Sequence, residues 1–303
     1  MENKIYNSFF ETSRVINLIH LHKYKELHNL KSNITVATMF NGATGSYLDD
    51  LSMGLLVLAI KNNKVKKNMP IIEVASERYA VALAVACNQL GNKLHLVMKK
   101  NIDYEYIKKL EFLGAKVVLV SSEYGFSGLI SKAKQLEKTL DGYFLNYLDN
   151  EDNIEYHKLV TAPFILNALG EKLDIIVCGV SSGGTITGVG EYIKSWRGTD
   201  KVKVVAVEPY ESCVISGGFA GKHGIDGLGI GFVPENYNSN IVDRVETITT
   251  GDAVITANEL LKYEGIPASI ASGAVVSVAK QLAKLPENKE KNILVFLPNR
   301  IYI

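Results

Sequence analysis

A chain of 303 residues with 47% hydrophobic and 21% charged residues is longer than one ordinary core requires, and it reads as about two globular domains rather than a disordered or fibrous chain. Its 33 Lys+Arg against 32 Asp+Glu leave a formal charge of +1. That excludes a global field for nucleic acid or an anionic membrane and points to small molecules or proteins as partners.

The N-terminal stretch MENKIYNSFFETSRVINLIHLH, residues 1–22, has acidic and polar residues where a signal peptide needs a basic and then an apolar segment, so no export is expected. From residue 34 onward, short β-rich runs alternate with longer stretches of helical period. The strand candidates are ITVATM, PIIEVA, KLHLVMK, KVVLVS, YFLNYL, DIIVCGV, KVVAVEP and NILVFLP. Helices are expected to begin near Asp49, Glu77, Tyr104, Gly125, Glu155, Gly183, Gly251 and Gly273. Strands separated by helices imply βαβ units and parallel sheets buried on both faces, an α/β protein. The polar stretch DNEDNIEYH at 149–157 divides the pattern. The expectation is a smaller α/β domain at 35–145 and a larger one made of 1–34 plus 146–303, with a ligand cleft between them.

The longest apolar runs, such as MGLLVLAI at 53–60, are far shorter than the about 18 residues a membrane-spanning helix needs, so no membrane association is expected. Cys87, Cys178 and Cys213 form no CxxC pair and read as reduced, structural thiols of a cytoplasmic protein. The basic run KNNKVKK at 61–67 reads as a solvated helix end. His20 and His22 are the closest histidines, with no cysteine or carboxylate nearby to complete a ligand set, so no metal site is expected.

The most specific local pattern is CGVSSGGTITGVGEYI at 178–193, a strand, a Ser/Gly turn and a helix. Glycines let the backbone curl while N–H groups and hydroxyls at a helix N-terminus converge on one point and favour an anion there. Ser181, Ser182, Gly183, Gly184 and Thr185 therefore read as a phosphate or anion cradle, the alternative being a plain tight turn. A second Gly-containing turn, NGATGSYLDD at 41–50, also links a strand to a helix.

With GVSSGGTITGVGEYI, VVAVEPYES, ISGG, HGIDGLGIGFVP and EGIPASIASGAVVSVAKQLAKLPENKEKNILVFLP in this order, the chain resembles the cysteine synthase (O-acetylserine sulfhydrylase) family. These are fold-type II pyridoxal-phosphate (PLP) enzymes related in fold to the tryptophan synthase β chain. The resemblance spans nearly the whole length. It implies two three-layer α/β domains with mostly parallel sheets, an interdomain cleft and a homodimer.

The resemblance also marks departures. The family's first turn reads about as Thr-Gly-Ser-aromatic-Lys-Asp-Arg, its lysine forming the Schiff base; here TGSYLDD puts Leu48 at that position, and no lysine lies between Lys31 and Lys61. Leucine has no amine to form an imine or return a proton. The family's carboxylate-binding segment, about Thr-Ser-Gly-Asn-Thr-Gly, is replaced by ASERYA at 75–80. Only Ser76 is kept; Glu77, Arg78, Tyr79 and Ala80 are expected to repel a carboxylate or to fill the space a bound substrate needs. Arg78 needs an anionic partner, either Glu77, Asp49 or Asp50 internally or a ligand, and internal pairing is favoured. Tyr47 reads as packing rather than as a catalytic acid. Asn299 stands where the family places a serine near the cofactor ring nitrogen, and ETSRV at 11–15 replaces the family's GNTPL.

These departures define the functional expectation. The chain keeps the scaffold of a cysteine synthase, has no catalytic residue at the reacting end and binds no PLP covalently. It acts as a binding or regulatory partner, taking a protein or a small anionic ligand in the cleft. The alternative is a PLP-dependent β-replacement enzyme of cysteine or related amino-acid biosynthesis.

Overall fold

The computed structural model describes residues 7–301. In chain order its elements are α1 (Phe9–Ser13), β1 (Asn17–His20), α2 (His22–Leu27), β2 (Asn33–Thr38), α3 (Leu48–Lys61), β3 (Ile71–Val74), α4 (Glu77–Leu90), β4 (Leu94–Lys99), α5 (Tyr104–Phe112), β5 (Ala115–Val120), α6 (Gly125–Leu140) and β6 (Tyr143–Phe144). There follow α7 (Glu151–Tyr156), α8 (Ala162–Leu169), β7 (Ile175–Gly179), α9 (Gly184–Arg197), β8 (Lys203–Pro209), β9 (Arg244–Ile248), α10 (Thr250–Glu259), α11 (Ile270–Lys284) and β10 (Asn292–Leu297). A π-helical turn at His157–Thr161 joins α7 to α8. The chain divides into two compact units, one of residues 1–13, 42–44 and 48–152, the other of 14–41, 45–47 and 153–303.

The first unit carries a four-stranded parallel sheet in the order β5-β4-β3-β6. Ile72, Val74 and Val97 present one face to Leu129 and Ala133 of α6. Strand side chains alternate between faces, so Glu73 points the other way, where Tyr79 of α4 reaches it.

The second unit carries a six-stranded sheet in the order β1-β2-β10-β7-β8-β9, parallel except for the β1–β2 pair. Its central strands are apolar on both faces. Ile175, Val177, Val205, Val207, Ile293 and Val295 meet α10 and α11, while Ile176, Cys178, Val204, Ala206, Leu294 and Phe296 meet α8 and α9. Side chains one residue out of step thus build two cores, the three-layer arrangement of a sheet covered on both sides. The fold is the expected one of two α/β domains with mostly parallel sheets.

Local differences from the sequence reading have physical causes. ITVATM was placed with the smaller domain, but β2 hydrogen-bonds along its length to β10 and belongs to the larger sheet. Residues 7–13, expected in the larger domain, fall with the first unit, where α1 packs on α3. YFLNYL forms strand only at Tyr143–Phe144, since Asn146 turns into the left-handed region at φ 47°. The edge strands β1 and β9 were missed because their polar residues hide any apolar run.

Candidate functional site

The turn at 41–50 is built around a carboxylate. Asp49, in the first turn of α3, accepts the Thr44 N–H at 3.1 Å and its hydroxyl at 2.9 Å. Gly42 has to be glycine here, because a Cβ would meet the Asp49 side chain at 2.4 Å. Arg78 donates to the Thr44 carbonyl at 3.1 Å, so its guanidinium also holds this turn. Leu48 opens α3 and is half-buried. In the second unit, Tyr47 is tilted against the His157 ring, with centroids 6.3 Å apart, consistent with a packing role.

The segment 75–80 leads into α4, which begins at Glu77. Ser76 is the exposed residue before α4 and makes no side-chain cap; the side chain of Glu77 lies outside what the structure describes. Tyr79 is fully buried. Its hydroxyl donates to Glu73 Oε2 at 3.4 Å and its ring packs against Tyr147 with centroids 4.2 Å apart. The bulk expected to crowd a substrate is therefore taken up inside the first unit. Glu73 accepts two further bonds, from the Val74 and Tyr147 N–H groups at 2.8 and 3.2 Å. Burial nevertheless pushes its carboxyl up to about 8.

The Ser181–Thr185 turn follows β7 and opens α9. Gly183 adopts φ 81°, a left-handed value that glycine takes without penalty, and a Cβ there would lie 2.8 Å from the Tyr237 backbone nitrogen. At Gly184 a Cβ would strike Asn153 Oδ1 at 2.0 Å. Ser182 is buried, and its Oγ accepts from Asn153 Nδ2 at 3.2 Å and from the Gly184 N–H at 3.4 Å. Its side chain thus braces the turn. The N–H groups of Thr185 and Ile186, in the first turn of α9, have no acceptor within the helix.

Ser181 and Thr185 line a cavity of the second unit together with Tyr47, His157, Cys178 and Pro298. His157 is buried, with Nδ1 2.9 Å from Thr161 Oγ1 and Nε2 3.0 Å from Thr185 Oγ1. Burial holds the imidazole neutral, its pKa lowered to about 3, and pushes the Cys178 thiol up to about 12. Sequence reading passed over His157 and Thr161. The signal was available, since the pair in HKLVT at 157–161 has the i, i+4 spacing of one helix face. Asn299 is 4% exposed, and among the described residues its Oδ1 has no hydrogen-bond partner. Its Nδ2 lies 3.5 Å from a Cβ position on Gly227, a cavity wall. His20 bonds Thr35 at 2.8 Å. Among the described residues no group of three or more His, Cys, Asp or Glu could hold a metal ion, and no helix is long and apolar enough to cross a membrane.

A fold of two α/β units with a Ser/Gly turn between β7 and the head of α9 defines a class, and comparison with known proteins identifies it. The family model for pyridoxal-phosphate-dependent enzymes matches residues 13–299. Cysteine synthase of Buchnera aphidicola subsp. Acyrthosiphon pisum is 39% identical over 249 residues, covering 80% of this chain and 79% of that protein. Cysteine synthase of Haemophilus influenzae is 36% identical over 283 residues, covering 90% and 89%. The structure of O-acetylserine sulfhydrylase isoform 3 from Entamoeba histolytica superposes with a TM-score of 0.92 at 33% identity, covering 99% of this chain and 90% of that one. The chain belongs to the pyridoxal-phosphate-dependent enzyme family, as a cysteine synthase-like member of fold type II.

The residues present fit the two ends of that cofactor unequally. The N–H groups of Thr185 and Ile186, which have no acceptor within the helix, and the Ser181 and Thr185 hydroxyls on the cavity wall suit a phosphate. The covalent link does not fit. Leu48 offers no amine, and none of the 14 residues lining the cavity is lysine.

Proposed function

We propose that this chain is a cysteine synthase-like protein that has lost PLP catalysis and works as a binding or regulatory partner. In this reading the Ser181–Thr185 cradle is kept as a non-covalent seat for the phosphate end of a small anionic ligand. The observation that carries it is Leu48 at the position where the family resemblance places the Schiff-base lysine, with no lysine between Lys31 and Lys61. A carbonyl cofactor without an amine to condense with has neither its covalent anchor nor the base that lysine supplies. The reading includes a cytoplasmic homodimer, supported by the free Cys87, Cys178 and Cys213 and by the family resemblance.

A second reading is favoured by the 39% identity to a cysteine synthase: a PLP-dependent β-replacement enzyme whose amine comes from elsewhere in the chain. One experiment separates the two. The purified protein is incubated with PLP, its absorbance is read at about 410 nm, where an internal aldimine absorbs, and it is then reduced with borohydride and mapped by mass spectrometry. We expect no pyridoxyl-lysine. A single, stoichiometric pyridoxyl-lysine would overturn the first reading in favour of the second.

A further inference from the structure

Beside the cradle, three side chains stand in a row whose hydrogen positions can be worked out. Thr161 Oγ1, the His157 ring and Thr185 Oγ1 are joined by contacts of 2.9 and 3.0 Å. A neutral imidazole carries one ring proton, so one nitrogen donates and the other accepts. Which nitrogen carries it decides where both threonine hydroxyls point.

Thr161 also lines the cavity but is fully buried, with 0% exposure, and among the described residues its hydroxyl has no partner but His157. If Nδ1 carried the proton, Thr161 would accept it, and its own hydrogen would be left at a fully buried position with no acceptor among the described residues, an unfavourable state. If Thr161 donates to Nδ1 instead, the ring proton sits on Nε2 and is donated to Thr185 Oγ1. The Thr185 hydrogen is then left over. Thr185 is only half-buried and lines the cavity, so that hydrogen can be directed there at no cost. Only this arrangement leaves no buried donor unmatched. The His157 carbonyl is itself engaged by the Ala162 N–H of the π-helical turn, and that turn sets the ring where it reaches α9.

We propose that His157 is a positioning residue, held as the Nε2–H tautomer by Thr161, which turns the Thr185 hydroxyl hydrogen into the cradle as a donor to phosphate beside the N–H groups of Thr185 and Ile186. The inference rests on the reading that the cradle takes phosphate. His157 itself touches no ligand in this scheme. It acts through Thr185.

The test uses the full chain and inorganic phosphate. A long-range 15N–1H correlation spectrum of the labelled protein reports the tautomer directly, and calorimetric titration reports phosphate affinity. The wild type should show His157 protonated at Nε2. In Thr161→Val both tautomers should appear, with phosphate binding about threefold weaker; His157→Phe, which keeps ring volume without a donor, should bind about tenfold weaker, the loss of roughly one hydrogen bond. His157→Gln, whose amide can accept from Thr161 and donate to Thr185, should restore most of the affinity. Thr185→Val tests the cradle itself. If it weakens binding while His157→Phe does not, the positioning role is refuted and the cradle stands. If the wild type binds no phosphate, or Thr185→Val changes nothing, the cradle reading fails and the inference falls with it. Should His157→Phe not fold, an Nδ1–H tautomer in the wild type is by itself sufficient to overturn the proposal.

Discussion

Glu73 sets burial against hydrogen bonding at one carboxyl, and the balance can be measured. Three donors, the Val74 and Tyr147 N–H groups and the Tyr79 hydroxyl, favour the ionised form, yet complete burial outweighs them and raises the pKa from 4.5 to about 8. Between these two values the unfolded chain has lost the Glu73 proton while the native protein keeps it. The native state then binds more protons, so stability is fully present below about pH 4.5 and is lost as pH rises toward about 8. A carboxyl pKa raised from 4.5 to about 8, at about 1.4 kcal/mol for each tenfold change in proton affinity, is worth about 5 kcal/mol, a large share of the whole stability of an ordinary domain. Glu73→Gln mimics the neutral acid and does not titrate. Urea unfolding of both proteins should be followed from about pH 4.5 to about pH 8.5; subtracting one from the other removes the titrations they share. The variant should gain on the wild type by about 5 kcal/mol up to about pH 8 and then level off. A flat difference, or a wild type that gains with rising pH, would show that the three donors hold an ionised carboxylate and that burial does not dominate.

Two further outcomes follow from the turns. Gly183→Ala puts an L-residue at φ 81° with its Cβ 2.8 Å from the Tyr237 nitrogen; the left-handed backbone alone costs about 1–2 kcal/mol, so urea unfolding should show a loss of at least about 2 kcal/mol, and a loss below about 0.5 kcal/mol would mean that the turn has slack. Leu48→Lys alone should give at most a weak band at about 410 nm with added PLP and no cysteine from O-acetylserine and sulfide, because catalysis also needs a held substrate carboxylate. Robust turnover by that single variant would show that residues 75–80 are no obstacle and that Leu48 alone silences the site.

How far the sequence could be read depended on the range of the interactions involved. The β7–turn–α9 unit was legible because everything that makes it is local: an apolar strand, glycines where the backbone must reverse, and a helix whose first N–H groups have nothing behind them. What the Ser181–Thr185 turn touches was not legible. His157 and Thr185 meet only because α7, the π-helical turn and α9 pack together, and a π-helical turn leaves no composition signature. The same limit explains β2. Its residues read correctly as a strand, but its neighbour in the sheet is β10, at the other end of the chain.

Tyr79 shows why residue type alone does not say where a side chain of the 75–80 segment goes. Replacing a small residue by tyrosine beside a substrate loop suggests obstruction, and that inference assumes the side chain points outward. The direction is in fact set by the start of α4 after Ser76 and by the strand before it. Ile72 and Val74 face α6, so Glu73 faces the opposite side of the sheet, and the Tyr79 hydroxyl finds it there. A buried carboxyl needs partners, and a tyrosine ring lying on Tyr147 supplies one while filling the interior. The first turn of α4 is thereby tied to the protonation of Glu73. The pH series on Glu73→Gln therefore bears on the function of the loop as well as on the stability of the unit that carries it.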